Sequence, residues 1–166
     1  VYNVEKLQSL VDCLAPKAYT DYAVWGLCLG ELNNDQLQAL ADAGVVGFKF
    51  FWGYAIDAKN YQLVYNYHEG MKDILPPRNM GQIYEIFETV AATGRPLAIH
   101  AEDFNIINHL TEQVQRRGET SYAAMLASRP PVSEQLVIAE AIELSRALGT
   151  RLHILHLADG GGVEPV

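Results

Sequence analysis

The sequence predicts an α/β fold with about four parallel strands and helices outside the sheet. Short apolar runs alternate with amphipathic stretches along all 166 residues. The apolar runs are hydrophobic at nearly every position, as in strands that are covered on both faces. Strict alternation of strands and helices favours parallel pairing with right-handed crossovers. The strands are predicted at 21–29, 45–51, 96–101 and 151–157.

Helices are predicted from hydrophobic spacing and from residues that begin or end them. In the first helix the apolar residues form one stripe, and Pro16 ends it. Gly94 and Gly149 suit helix ends, and Ser133 is a suitable cap for the last helix. Residues 52–79, rich in Tyr and Asn, are predicted to form a long loop or lid. The predicted helices span 4–14, 36–43, 80–93, 104–117, 120–127 and 133–148.

Composition excludes several classes of function. Twelve Lys and Arg against twenty Asp and Glu give a net charge of −8, which disfavours nucleic acid as a partner. No apolar run reaches the length of a membrane span, so no membrane association is expected. Cys13 and Cys28 form neither a disulfide framework nor a CxxC motif. Both thiols are expected to be buried, in a protein of the reducing cytoplasm.

Three unusual side chains lie at or near the carboxyl ends of predicted strands. Lys49 lies inside GFKFF, where an ammonium group loses its hydration and needs a partner, a lowered pKa or a modification. His100 and His156 end neighbouring strands, and acidic residues follow each of them. Neutral imidazoles are common metal ligands, which adjacent carboxylates can orient. The alternatives are a lysine whose stem covers apolar surface and histidines with structural roles.

Further polar residues lie beside His100 and His156 in the sequence. Glu102 and Asp103 either orient His100 or cap the helix that follows. His153 lies three residues before His156, and strand alternation predicts that it faces away from the site.

The remaining polar motifs are assigned no chemistry. Arg129 and Glu134 are expected to form a structural ion pair or a helix cap. The run Gly160–Gly162 follows a strand but lacks the GxGxxG pattern, so it is a weak candidate for a phosphate site. A phosphate-binding α/β enzyme therefore fits the alternation of elements but not the lysine and the histidines.

Four segments carry a resemblance to a known family. They are GVVGFKFF, RPLAIHAED, ASRPPVSEQLVIAEAI and RLHILHLADGGGVE. Together they resemble the cyclic amidohydrolases, namely hydantoinase, dihydropyrimidinase, allantoinase and dihydroorotase. DYAVWG and HAED are more similar to allantoinases, whereas KFFWGY is more similar to hydantoinases, so the choice between them stays open.

The resemblance implies a (β/α)8 barrel of the TIM type that holds two divalent metal ions. In that family a carboxylated lysine bridges the ions, and Lys49 matches its position. His100 and His156 match histidines that complete the shell of the second ion. Zn²⁺ is the expected ion, with Mn²⁺, Co²⁺ and Fe²⁺ as competitors. A hydroxide shared by the ions would attack a cyclic amide or ureide, and Tyr54 matches the tyrosine that donates to the developing oxyanion.

Other ligands of the family have no counterpart in this sequence. There is no HxH motif, and no aspartate of an eighth strand follows. Residues 1–166 are therefore expected to form a single partial barrel domain, covering roughly the third to sixth strand–helix units of a longer protein. That protein is expected to be a homo-oligomer that acts on a small cyclic amide. The isolated segment is expected to be inactive and poorly stable.

Two further points bear on function. After His156 the sequence departs from the family, because Ala158 stands where serine is usual and Asp159 is atypical. The alternative function is a barrel without catalytic activity that acts in assembly. Retention of Lys49 and both histidines argues against that alternative, and an HxH motif upstream would exclude it.

Overall fold

The computed structural model describes residues 1–163, which form six α-helices and seven β-strands. The helices are α1 Val4–Leu14, α2 Leu37–Asp42, α3 Met80–Thr93, α4 Phe104–Arg116, α5 Tyr122–Ala127 and α6 Pro131–Leu148. The strands are β1 Trp25–Cys28, β2 Gly47–Phe51, β3 Ala55–Asp57, β4 Leu63–Val64, β5 Ile74–Leu75, β6 Leu97–His100 and β7 Leu152–Ile154. The α/β class is confirmed.

The main sheet has the strand order β1-β2-β6-β7, and every pair of neighbours is parallel. Residues in register across parallel strands share one face of the sheet. One such row contains Leu27, Lys49, Ala98 and His153. A second row, two residues nearer the carboxyl end, pairs Phe51 with His100. The sheet therefore places Lys49 and His100 on the same face.

The opposite face of the sheet forms the hydrophobic core with the helices. Phe48, Phe50, Leu97 and Ile99 are at most 2% exposed. They belong to one cluster with Phe87 of α3 and with buried residues of α2 and α6. The strands alternate between core and site residues, and burial of the core fixes which face each residue occupies.

Helix ends follow the predicted signals in most places. Helices α1 and α3 have the predicted bounds. The Asn79 and Gln82 side chains form a capping box at the start of α3, and Gly94 ends the helix with φ 68°. Helix α6 starts two residues earlier than predicted because Pro131 is compatible with the first helical turn. Ser133 therefore does not cap it.

The predicted lid over residues 52–79 contains a second sheet. Strand β3 pairs antiparallel with β4 and with β5. Asp57 stabilises the turn after β3, because its Oδ1 accepts hydrogen bonds from the Lys59 and Asn60 amides. An ion pair of 2.6 Å joins Lys59 Nζ to Asp73 Oδ2. The segment is thus ordered by local hydrogen bonds.

Three further expectations need correction or completion. The main strands are shorter than predicted. Of residues 21–24, before β1 begins, only the Val24 carbonyl takes part in the sheet, where it accepts a hydrogen bond from the Val46 amide. Cys28 is buried as expected, whereas Cys13 is exposed on α1 and contacts the Lys17 ammonium. Among residues 1–163 no helix is long and apolar enough to cross a membrane.

The outer edges of β1 and β7 have no strand partner within the described residues. On β1 this edge is bonded instead to Val1 and to the Asn33 side chain. The outer edge of β7 has no such bonds in the described part of the chain, and a free edge promotes association. We expect residues 1–166, produced alone, to form oligomers or aggregates that increase with concentration. Size-exclusion chromatography with light scattering would measure this association, and a monodisperse monomer of 18.4 kDa over a wide concentration range would contradict it.

Candidate metal centre

Two imidazoles meet at the carboxyl ends of β6 and β7. His100 is the last residue of β6, and His156 lies two residues beyond the end of β7. The His100 Nδ1 and His156 Nε2 atoms are 3.0 Å apart, and the ring centroids are 4.6 Å apart. Two nitrogens that each coordinate a tetrahedral Zn²⁺ are about 3.3 Å apart. The pair therefore has nearly the spacing that one metal ion requires.

Glu102 contacts the other nitrogen of the His100 ring. Its Oε2 lies 3.2 Å from His100 Nε2, and both side chains are about one-fifth to one-quarter exposed. A carboxylate at one imidazole nitrogen orients the ring and leaves the second nitrogen to bind metal. Burial favours protonation of Glu102, but hydrogen bonds from His100 and Tyr54 outweigh it and lower the pKa of the carboxyl group. Of the two roles predicted for Glu102, the contact supports the orientation of His100.

Asp103 has the other role predicted for this pair, that of a helix cap. Its side chain accepts a hydrogen bond of 2.8 Å from the Ile106 amide and caps α4.

Tyr54 joins the same network from the loop after β2. Its hydroxyl donates to Glu102 Oε2 at 2.6 Å and lies 3.1 Å from His100 Nε2. Burial is the largest cause that raises the pKa of Tyr54, and the hydrogen bond to Glu102 and its charge raise it further. The phenol therefore stays protonated over the ordinary pH range and remains a hydrogen-bond donor.

Gly53 permits this approach of Tyr54 to Glu102. Its φ is +94°, and a Cβ atom at this position would lie 2.3 Å from the Glu102 carbonyl oxygen. The hydrogen bonding between β2 and β6 continues past Phe51, because the Trp52 amide donates to the His100 carbonyl at 3.1 Å. Close backbone packing thus determines where Tyr54 enters the site.

Lys49 lies on the same face of the sheet as His100. Within the described residues its Nζ is buried and has no hydrogen-bond partner, and it lies 4.5 Å from the centre of the Phe51 ring. Loss of hydration lowers the pKa of Lys49 to about 8. A buried amine without a partner is unusual, because an unpaired charge costs free energy. The neutral amine is the form that can react with CO2.

The donor set fits a metal centre in part. Two imidazole nitrogens converge, and an amine that could carry a carboxylate group lies on the same face of the sheet. Among residues 1–163 no group of three or more His, Cys, Asp and Glu side chains is arranged to hold an ion. The described residues thus offer part of a shell.

The orientation predicted for His153 is wrong. This exposed residue lies in the same row as Ala98 and Lys49, so it shares their face of the sheet. The alternation argument does not extend to His156, which lies beyond the last strand residue and has φ +38°. The turn at His156 changes the direction of its side chain, and the rule of alternating faces no longer holds.

Arg129 and Glu134 do not form an ion pair in the described part of the chain. The Glu134 carboxylate accepts hydrogen bonds from the Ala158 and Asp159 amides instead. Arg129 lines two cavities, of about 540 and 310 Å³, that both include Glu102. Gly160–Gly162 form a short 3-10 turn after Asp159.

Comparison with known proteins identifies relatives of this chain. It is 34% identical over 144 residues to an allantoinase of Solibacter usitatus. The aligned region covers 86% of this chain and 28% of that allantoinase. It is 37% identical over 137 residues to an allantoinase of Enterococcus faecalis, and the alignment covers 80% of this chain and 27% of that protein. An L-hydantoinase of Paenarthrobacter aurescens is 33% identical over 132 residues, with 80% and 26% covered. No protein-family model matches the chain.

Solved structures give the same result for the fold. The L-hydantoinase (dihydropyrimidinase) from Arthrobacter aurescens has a TM-score of 0.81 at 27% identity and covers 99% of this chain and 33% of its own length. A D-hydantoinase has a TM-score of 0.75 at 21% identity. The fold is therefore part of a TIM-type barrel of the hydantoinase kind. The chain is similar to allantoinases and hydantoinases and spans about a quarter to a third of the length of those relatives.

Gly53 provides a test of the packing around Tyr54. We expect Gly53→Ala to destabilise the fold more than Gly44→Ala, although both glycines have positive φ, +94° and +101°. Nothing lies within 4 Å of a Cβ at Gly44, so that variant loses only about 1–2 kcal/mol of backbone free energy. The clash at Gly53 adds about 1–3 kcal/mol. Urea unfolding measures both, and equal losses would contradict the packing argument.

Proposed function

We propose that the complete protein hydrolyses the ring of a cyclic amide or ureide in a metal-dependent reaction. Lys49, His100 and His156 would hold divalent ions, of which Zn²⁺ is the expected one. The observation that supports this most directly is the imidazole pair, with its nitrogens 3.0 Å apart at the carboxyl ends of two parallel strands. In TIM barrels these strand ends carry the active site.

The residues fit divalent ions by their chemistry. Imidazole nitrogen and carboxylate oxygen are ligands that Zn²⁺ prefers. A protonated amine has no lone pair to offer, whereas a carboxylated Lys49 would offer two oxygens as ligands for divalent ions. When bound, the ions would supply Lewis acidity that activates water and polarises the ring carbonyl.

The protein residues of the site would orient the reacting groups and carry protons. Glu102 accepts from His100 Nε2 and so directs Nδ1 toward His156. Tyr54 donates to Glu102 at 2.6 Å, and rotation of the hydroxyl proton would direct it to the carbonyl oxygen of a substrate. A donor placed where negative charge develops stabilises the transition state. The C–N bond of the ring breaks as the oxygen of water bonds to the carbonyl carbon, which becomes a carboxylate. The ring nitrogen leaves as the N–H of an amide or ureide and takes one proton of the water, and the other proton is released to solvent.

Two cavities that share Glu102 and Arg129 would receive the substrate. The smaller one is lined by His100 and His156, and the larger one lies beside Tyr54. The volume of the larger cavity is about 540 Å³, within the range of small-molecule sites. Aromatic rings of Tyr65, Tyr67 and Phe104 line it together with polar groups of Asn108 and Arg129. This combination suits a flat polar ring such as a hydantoin or allantoin.

Two expectations about the setting of the protein belong to this proposal. The free thiols of Cys13 and Cys28 suit the reducing cytoplasm. Homo-oligomerisation of the complete protein stays a prediction.

The proposed function predicts turnover by the complete protein loaded with Zn²⁺ or Mn²⁺. We expect hydrolysis of at least one substrate from a panel of allantoin and substituted hydantoins, measured by release of the ring-opened acid. Tyr54→Phe should lower kcat about 10²–10³-fold, the usual effect of removing one donor to an oxyanion. Tyr84→Phe is the matched control, because Tyr84 is exposed on α3 and lines neither of the cavities beside Glu102.

Two results would contradict this proposal. The first is the absence of turnover on the whole panel with metal demonstrably bound. The second is a Tyr54→Phe enzyme that is as active as the Tyr84→Phe control, which would remove Tyr54 from the reaction.

The proposal also predicts a carbamate on Lys49. With a pKa of about 8, roughly half of the Lys49 amines are neutral at pH 8, against about 0.3% for an ordinary lysine. At constant dissolved ¹³CO2 the carbamate signal in ¹³C NMR should therefore increase from pH 7 to pH 9. The signal should be absent from Lys49→Arg. It should be unchanged in Lys17→Arg, because Lys17 is an exposed lysine between α1 and β1. A signal that persists in Lys49→Arg would assign the carbamate elsewhere.

A further inference from the structure

The backbone that carries His156 has an unusual conformation. Its φ of +38° lies in the left-handed region, which residues other than glycine rarely adopt. The last hydrogen bond to the main sheet before it is donated by the Leu155 amide to the Ile99 carbonyl, at 3.2 Å. The side chain of His156 is exposed, and its ring lies against His100. Such a conformation persists when surrounding contacts hold the chain on both sides.

Glu134 provides the contact on the far side of His156. One carboxylate oxygen accepts from the Ala158 amide at 3.0 Å, and the other accepts from the Asp159 amide at 2.9 Å. Hydrogen bonds to a charged acceptor are stronger than those between neutral groups. Gln135 adds a link, because its amide donates to Asp159 Oδ2. The segment 155–159 is therefore fixed at both ends.

The same helical turn also holds the strand end that carries His100. The carbonyl oxygen of Ser133 accepts a hydrogen bond of 3.0 Å from the Asp103 amide, three residues after His100. Ser133 is only 4% exposed, and its hydroxyl donates to the Pro130 carbonyl at 2.8 Å. Two consecutive residues of α6 thus bind the loops that follow both imidazoles.

We infer that Glu134 is a positioning residue for His156, and that the first turn of α6 sets the distance between the two imidazoles. Glu134 acts through backbone amides and does not touch the metal-binding nitrogens. The inference rests on the proposed function only for the consequence that metal affinity depends on Glu134. The geometric claim can be tested without metal.

The test compares three variants of the complete protein. Glu134→Gln keeps the size but turns one acceptor into an NH2 donor that faces a backbone N–H group. Glu134→Asp keeps the charge but is too short to reach both amides. Glu143→Gln is the matched control, because Glu143 lies on the same helix and its carboxylate pairs with Arg146 at the surface.

Hydrogen exchange of the metal-free protein, followed by mass spectrometry, reports on the segment 155–161. We expect at least tenfold faster exchange in Glu134→Gln and Glu134→Asp, and no change in Glu143→Gln. Titration with Zn²⁺ should then show affinity about 10–100-fold lower in both Glu134 variants, as for other residues that orient metal ligands. Loss in Glu134→Asp distinguishes positioning from a purely electrostatic effect, which this variant would preserve.

Defined outcomes would overturn the inference. Unchanged exchange in the Glu134 variants means that Glu134 does not hold the segment. Faster exchange with Zn²⁺ affinity within twofold of the wild type means that it stabilises the loop but does not position His156. If the wild type binds no Zn²⁺, the proposed function is wrong, and the exchange data still decide whether Glu134 holds the segment. If Glu134→Gln does not fold, Glu134→Asp is measured in its place.

Discussion

The parallel pairing of β2 with β6 is the constraint on which the candidate site depends. Phe51 lies beside His100 in this register, and Lys49 lies two residues earlier on the same face. A shift of one residue would exchange the two faces of a strand and turn Lys49 toward the helices. The register is stable because Phe48, Phe50, Leu97 and Ile99 must stay buried on the opposite face. The hydrophobic core thus fixes the positions of the chemical groups, although it contains none of them.

Electrostatics divides the site into two parts. Both ring nitrogens of His100 have partners, and Glu102 remains ionised because it accepts from His100 and Tyr54. Lys49 is the opposite case, since its amine is buried against Phe51 without a hydrogen bond among the described residues. In a folded protein an unpaired ammonium group is costly, and the lowered pKa is the consequence. Such an amine favours reactions that remove its charge.

Sequence patterns predicted those elements whose signals are local. The end of α3 follows from Gly94, and the bounds of α1 follow from its apolar stripe and Pro16. The four parallel strands follow from apolar runs. The predicted strands are too long, because extended residues that make no hydrogen bonds to a neighbouring strand look the same in sequence. The β3–β4–β5 sheet escaped prediction because strands of two or three residues have no periodicity, and the ion pair of Lys59 with Asp73 spans fourteen residues.

The same distinction between local and distant signals explains what was predicted of the site. Lys49, His100 and His156 stood out because their chemistry is unusual at the ends of apolar runs. Glu102 was noticed for its position beside His100, but its bond to Tyr54 joins residues 48 positions apart. The contacts of Glu134 reach 24 and 25 residues along the chain to backbone amides, which no side-chain pattern can indicate.

A carboxylate that binds backbone amides places unequal demands on the two segments that it joins. Any residue except proline supplies the amide at positions 158 and 159, so a change at either position keeps the contact with Glu134. A change at Asp159 would lose only the bond from Gln135 and the bond from the Gly161 amide. Glu134 has less freedom, because each of its two oxygens accepts from a different amide. The departure of the sequence after His156 is therefore compatible with an intact site. Change is tolerated where the backbone provides the contact, and it is restricted at the helix residue that accepts it.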